Sequence, residues 1–491
     1  MPLLSSRFCR VLAALFAVAA VSAEAQQPGP LLACRANLDS LAEAVARNYA
    51  GFLLEVTGGR RTRHDEALDR LRPRADAAAG GDCYIVLRDY VEWFADPHLF
   101  VFQSTRIDSA VTRHRMETMT SVAAPDEAAI RATLGRRPHL DPLEGIWYDA
   151  GLRVAIVADD ADRRRFTGIV LRGDTPLWTP GMVRARFRKT RDGYDADVWS
   201  PNAVLRHHRA TLHKRVLLRL SPGIWGKAYP VTAADSGLVD PVDAHRATLV
   251  IRGTTPVISI PSHDPTYKGA LDSLLRRYDA TLHAAPRLII DLRGNEGGSS
   301  WITNGLRRFF ASETPRPGAA PDLDESMMLS SADQIDYARR AFGSDTTRFV
   351  RSLVERLQAS PGALVRLQPP DRPAAPTPVV PVVRGSARVG VMIDRGTVSA
   401  AEVTVLQALR SDRATVFGRP TAGALDYQSV NIVPIAAGEK RWYLGYPTIT
   451  ATPRLPTGGM RGKGIRPDVS LDFDRLADPI AAVEARLAEV P

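Results

Sequence analysis

Apolar and polar positions along this chain change their period, and the changes divide it into segments. Between residues 36 and 96 the period is helical. Leu38, Leu41, Ala42 and Val45 stand at i, i+3, i+4 and i+7, and Tyr84 to Phe94 carries a second stripe. A Gly/Ala-rich linker, Ala77 to Gly81, separates the two. From about 140 to 235 the texture becomes short alternating or β-branched runs between turn residues, such as Leu152 to Val157 and Thr167 to Leu171. That spacing predicts an antiparallel β module, read as an open barrel, with Trp147 and Trp178 as core aromatics. Beyond residue 247 strands and helices alternate. Val257 to Ile260 reads as a strand, Tyr267 to His283 as a helix, and Leu288 to Leu292 as a buried strand of the parallel kind. Residues 332–358 read as helical, Pro369 to Pro381 as a Pro-rich connector, and Val389 to Ile393 as a second buried strand that leads into a helix near Ser399. The predicted organisation is a helical segment over 26–130, the β module over 138–240 and an α/β core over 245–475. No solenoid-type repeat is present.

The first 25 residues stand apart from this pattern. Arg7 and Arg10 precede an apolar run from Val11 to Val21, and Ala23-Glu24-Ala25 fits an A-x-A cleavage site. Together they predict a signal peptide and a mature protein beginning near Gln26, exported to the periplasm or the exterior. The run is too short to span a bilayer, and no later segment approaches ~18 apolar residues, so no stable membrane insertion is expected. Leu31-Leu32-Ala33-Cys34 resembles a lipoprotein box, but Gln26 to Pro30 separates it from the apolar run. Cys9 leaves with the leader, and Cys34 and Cys83 remain as an even pair that an oxidising compartment would bridge.

Composition adds one exclusion. The formal net charge is +10, from 64 Lys+Arg against 54 Asp+Glu, yet only six of those cations are lysine. The arginines are scattered among acids with no run of five or six like charges, the signature of a mixed solvated surface rather than a nucleic-acid footprint.

Two strand-to-helix junctions carry the candidate chemistry. The first, Asp291-Leu292-Arg293-Gly294-Asn295-Glu296-Gly297-Gly298-Ser299-Ser300, follows a buried strand with glycines that can turn N–H groups toward an anion. It is not a phosphate loop, because no Gly-Lys-Ser/Thr follows. The second is Asp394-Arg395-Gly396-Thr397-Val398-Ser399-Ala400-Ala401-Glu402. There Ser399 fits two readings. Ser-x-x-Glu is a capping box, and a serine at a helix N-terminus is also a well-placed nucleophile.

Taken together, LIIDLRGNEGG, GTVSAAE, GRPTAGA and the closing Gly464-Ile465-Arg466-Pro467-Asp468 resemble the tail-specific, or C-terminal-processing, serine peptidases over about residues 250–310 and 385–472. The resemblance implies an α/β core of the ClpP/crotonase-like type, hydrolysis of polypeptides, and no cofactor. It implies Ser399 as nucleophile, with an oxyanion hole built from the Ala400 amide and that of Gly297 or Gly298. The best-known branch places its base, a lysine, where this chain has Ala424, and Lys440 and Lys463 lie outside that motif. Trp93-Phe94-Ala95-Asp96-Pro97-His98 instead resembles the histidine element of the tricorn-core and interphotoreceptor retinoid-binding branch, which implies His98 as the base. The glutamate that branch carries near its closing Gly-x-Gly is absent from Arg461-Gly462-Lys463-Gly464. Glu402 and Asp426 are the carboxylates left open as the third group.

No metal motif is found. His207, His208 and His213 lack the spacing and cysteine partners of a zinc site and are read as solvated. The family's usual PDZ module is not evident, and the β module stands in its place. The motifs fix acyl chemistry but not the acyl group, so an exported peptidase, a related hydrolase of esters or small amides, and an inactive binding homologue all remain open.

Overall fold

The computed structural model describes residues 33–78, 82–104, 109–174, 176–220, 223–310, 316, 326–341, 348–368, 388–436, 439–450 and 459–489. The signal segment, the Pro369 to Pro381 connector and most of the Ala77 to Gly81 linker lie outside the described residues. The chain divides into two compact units. One draws on Met1–Ser104, Ala320–Val379 and Gly423–Gly464, the other on Thr105–Ala319, Val380–Ala422 and Ile465–Pro491.

In the first unit the predicted helical stripes form Cys34–Asn48 and Asp82–Glu92, joined by Ala50–Glu55 and Gly58–Ala77. Leu38, Leu41 and Val45 are fully buried, as their spacing requires, together with Leu87, Tyr90 and Phe94. Each such side chain contributes about 1.5–3 kcal/mol on leaving water. A disulfide joins Cys34 to Cys83 with Cα atoms 5.5 Å apart. The helices pack on Trp442, Leu444 and Tyr446 of a five-stranded sheet. In its long hairpin Tyr427–Ala436 pairs with one edge of Glu439–Thr450, and the other edge carries Phe100–Gln103 and, at Thr450, Met327–Leu329, which pairs in turn with Leu364–Arg366. The predicted helix over 332–358 consists of Ala332–Ala341 and Arg348–Gln358, with 342–347 outside the described residues.

The second unit contains the β module and the α/β sheet. The module is a closed barrel of eight strands, from Gly145–Asp149 to Ile224–Tyr229, rather than the open one expected. Closure comes from pairing the first strand with the last, Ile146 opposite Tyr229 and Tyr148 opposite Gly226. Such a long-range contact leaves no trace in local alternation, and closure removes both sheet edges. Trp147, Ile156, Phe166, Phe187 and Trp225 fill the interior, and Trp178 is buried with them.

The α/β sheet has the order Thr248–Arg252, Thr255–Ser259, Arg287–Asp291, Arg388–Ile393, Ala414–Gly418, Val469–Ser470. The first pair is antiparallel and every later pair parallel. The predicted helix from Tyr267 to His283 is broken at Tyr278 into Lys268–Arg277 and Asp279–Ala284. Arg287–Asp291 and Arg388–Ile393 are adjacent, so the two predicted junctions leave the same end of neighbouring strands, where open α/β sheets bind their ligands.

Candidate active site

The first junction is shaped by Asn295, which is fully buried. Its Nδ2 donates to Ile260 O at 2.7 Å, which turns Oδ1 toward the loop. Oδ1 then accepts from Gly297 N at 2.9 Å, while Asn295 O accepts from Val398 N at 2.8 Å. The loop is thereby tied to the residue before Ser399. Gly297 has φ +90°, and a Cβ there would lie 2.9 Å from Ser399 Cβ and 3.0 Å from Ala400 N. No larger residue fits without displacing the serine turn. Gly298 has φ +135°, and a Cβ there would meet His263 O at 2.2 Å.

At the second junction Ser399 precedes the helix Ala400–Leu409 with φ +55° and ψ −117°. A serine that merely caps a helix sits in the β region. This backbone is sparsely populated outside glycine and costs about 1–3 kcal/mol, so its surroundings must impose it. One restraint is Glu402, whose buried Oε2 accepts from Ser399 N at 2.8 Å and whose Oε1 accepts from Thr421 Oγ1 at 2.6 Å. A strained serine between a parallel strand and a helix is the geometry of a nucleophile elbow.

Asp394 joins the two junctions. Its Oδ1 accepts from Gly294 N at 2.8 Å and Gly396 N at 2.9 Å, and its Oδ2 faces His213 Nδ1 at 2.9 Å. Burial works to raise this carboxyl, but His213, the Gly294 amide and Arg293 overcome it and hold it well below the usual carboxylate range. His213 is therefore not solvated as expected. The barrel strand Leu205–His213 delivers it between Gly294 and Gly396, where a Cβ on either glycine would lie within 3 Å of its ring or Cβ. His207 has its own partner, Asp197, on the neighbouring strand. Next to His213, the buried Lys214 places Nζ 2.5 Å from Ser259 Oγ and 3.4 Å from Asp291 Oδ2. Burial favours a protonated Asp291, but Arg293 and Lys214 outweigh it and keep the carboxylate ionised. Arg293 holds both Asp291 oxygens, at 3.0 and 2.9 Å.

His98 belongs to the other unit. It sits on the turn between Asp82–Glu92 and Phe100–Gln103, with 12% of its side chain exposed. Asp96 builds that turn. Its Oδ1 accepts from His98 N at 2.9 Å and lies 4.0 Å from His98 Nδ1, and its Oδ2 accepts from Tyr49 Oη at 2.7 Å. Burial raises the Asp96 carboxyl to about 7, against the pull of its Tyr49 and His98 hydrogen bonds. Tyr49 in turn accepts from Arg461 Nη1 at 3.3 Å, and Arg461 pairs with the buried Glu55. Asp426 spends its two oxygens on Met460 N and Arg461 N, both at 2.8 Å, pinning the chain before Gly464. Ala424 is buried and Lys463 exposed.

The structure thus brings Ser399, Glu402, Ala400, Gly297 and Gly298 together in one unit, and places His98 and Asp426 in the other. The expectations did not single out Asp96, His263, Asp394 or His213 for these contacts. For Asp96 a signal existed, since Asp two residues before an amide is the Asx-turn pattern. Among the described residues no cluster of three or more His, Cys, Asp or Glu side chains is placed to hold a metal ion. No described helix is long and apolar enough to cross a membrane.

Residues 255–471 match the family model described as Peptidase family S41. The matched segment holds both strand-to-helix junctions, Ser399 and the Gly297–Gly298 loop included. The chain is similar to the solved structure of mature CPAF complexed with lactacystin, at 13% identity over 94% of this chain and 98% of that one, with a TM-score of 0.44. It is similar to the photosystem II D1 C-terminal processing protease at 12% identity over 93% and 98%, with a TM-score of 0.34. Against the tricorn protease the identity is 11% over 93% of this chain and 37% of that one, with a TM-score of 0.38. No curated protein matches the sequence.

Proposed function

We propose that this chain is an exported peptidase in which Ser399 attacks the peptide carbonyl and His98 is its base. In the first step the Ser399 hydroxyl proton passes to His98 Nε2 or Nδ1 as Oγ bonds to the carbonyl carbon. The resulting oxyanion accepts hydrogen bonds from the amides of Ala400 and Gly298. Collapse of the intermediate expels the amine, which takes the proton back from His98, and water repeats the sequence on the acyl-enzyme. Gly298 is preferred over Gly297 because the Gly297 amide already donates to Asn295 Oδ1. The reading includes cleavage of the signal segment near Ala25, a core of the ClpP/crotonase-like type and affinity with the histidine-using branch of the family.

The observation that carries the proposal is the Ser399 backbone, φ +55° and ψ −117°, at a strand-to-helix turn packed against Gly297. A cap needs no such strain, whereas a nucleophile that must present Oγ beside free helix amides does. The test is labelling with a fluorophosphonate probe and hydrolysis of a peptide pool. Wild type should label and cleave, and Ser399→Ala should do neither while remaining folded. Full hydrolysis by Ser399→Ala would place the nucleophile elsewhere.

A further inference from the structure

His263 is fully buried, follows the Thr255–Ser259 strand and has no part in the expected chemistry, yet it touches the elements that shape the oxyanion site. Its backbone N donates to Gly297 O at 3.0 Å and its O accepts from Ser299 N at 2.8 Å. In that parallel bridge the residue between the two bonds, Gly298, turns its own amide away from His263. Its ring fixes the rest. Nδ1 lies 3.1 Å from Asn295 Oδ1 and Nε2 lies 3.2 Å from Thr404 Oγ1. Asn295 Nδ2 is spent on Ile260 O, so Oδ1 is the acceptor and His263 Nδ1 carries the proton. Nε2 is then the acceptor for the Thr404 hydroxyl, whose oxygen can accept from Thr303 Oγ1 at 2.9 Å.

We infer that His263 is a positioning residue that sets the Gly297–Gly298 amides against the helix beginning at Ala400, and so fixes the geometry of the oxyanion hole. The ring bridges the two amide sources. Through Asn295 it directs the Gly297 N–H inward to the loop, leaving Gly298 as the outward donor. Through Thr404 it ties that loop to the helix whose first amide is Ala400. Burial lowers the imidazole to about 4 against the opposing Asn295 bond, so the single-proton tautomer this relay needs persists at neutral pH. The inference rests on the serine-peptidase reading above.

The test uses variants that keep one ring contact each. The amide nitrogen in His263→Asn stands near the place of Nδ1 and can still donate to Asn295, whereas His263→Gln reaches toward Thr404 and abandons the loop. His263→Gln should lose about 10²-fold in kcat, the size of one lost oxyanion donor, with KM within about threefold of wild type. It should lose affinity for a peptide boronate in the same proportion. His263→Asn should lose less than about tenfold in kcat. Thr404→Val, which leaves the loop untouched, should behave like His263→Asn and covers the case in which the His263 variants do not fold. Equal kcat in wild type and His263→Gln would overturn the inference, as would kcat losses in Thr404→Val matched by equal losses of active-site titre. Failure of wild type itself to label with a fluorophosphonate would instead overturn the underlying reading.

Discussion

The Glu402 carboxylate accepts from the Ser399 backbone amide at 2.8 Å and from the Thr421 hydroxyl at 2.6 Å, so both of its oxygens are committed to holding the serine turn. It restrains a backbone that Ser399 would otherwise leave. Glu402→Gln preserves an acceptor for Ser399 N and offers its NH₂ to Thr421 Oγ1. We expect kcat to fall by less than about tenfold in Glu402→Gln. Were Glu402 the acid orienting the histidine, the amide would cost about 10⁴-fold, as for triad aspartates. Steady-state kinetics on a peptide substrate separates the two.

In the proposed mechanism His98 takes the proton from Ser399, since Ala424 stands where the resemblance would place a lysine. His98→Gln should lower kcat by on the order of 10³-fold and flatten the acid limb of the kcat/KM profile. An acid limb unchanged in this variant would refute the assignment.

Burial lowers His263 from 6.5 to about 4 in the folded chain. The unfolded chain therefore takes up this proton first as pH falls. The contribution to stability is whole above pH 6.5 and declines until pH reaches about 4. The full loss is about 3 kcal/mol at ~1.4 kcal/mol per pKa unit. Urea denaturation between pH 7 and 4 should show this slope in wild type and a shallower one in His263→Asn.

Asp96 has the opposite sign. Its folded value is raised from 3.8 to about 7, so the unfolded chain ionises first as pH rises. Stability contributed by the neutral acid is present below about pH 4 and lost as pH climbs to 7, by up to about 4 kcal/mol. Asp96→Asn should remove that slope and protect the amides of Cys34–Asn48 and Asp82–Glu92 better at pH 8, as read by hydrogen exchange.

The Cys34–Cys83 bridge spans a sequence separation of 49 residues. On the chain-entropy model its removal costs about 4 kcal/mol. Cys34→Ser/Cys83→Ser should lower the denaturant midpoint of the helical unit accordingly, and reduction of wild type should reproduce the shift. Thiol titration of the unreduced, unfolded protein should find none of these two cysteines free.

Much was legible in the sequence because it was local. The buried strands Arg287–Asp291 and Arg388–Ile393 announced themselves as apolar runs, and the helix stripe of Leu38, Leu41 and Val45 as a period. Ser399 and the glycines stood out because a strand exit of that composition restricts what the backbone can do. Tertiary structure decided what depends on residues far apart in the chain. His263 meets Thr404 across 141 residues and His213 meets Asp394 across 181, and the barrel closes only when Ile146 finds Tyr229. Hydrogen bonds and buried charges of this kind are satisfied by whichever partner the fold delivers, so a lone histidine reads alike in sequence whether water or a carboxylate awaits it. Ser399's strain is likewise a tertiary property, since Glu402, Gly297 and Asn295 must all be in place before that φ of +55° is held.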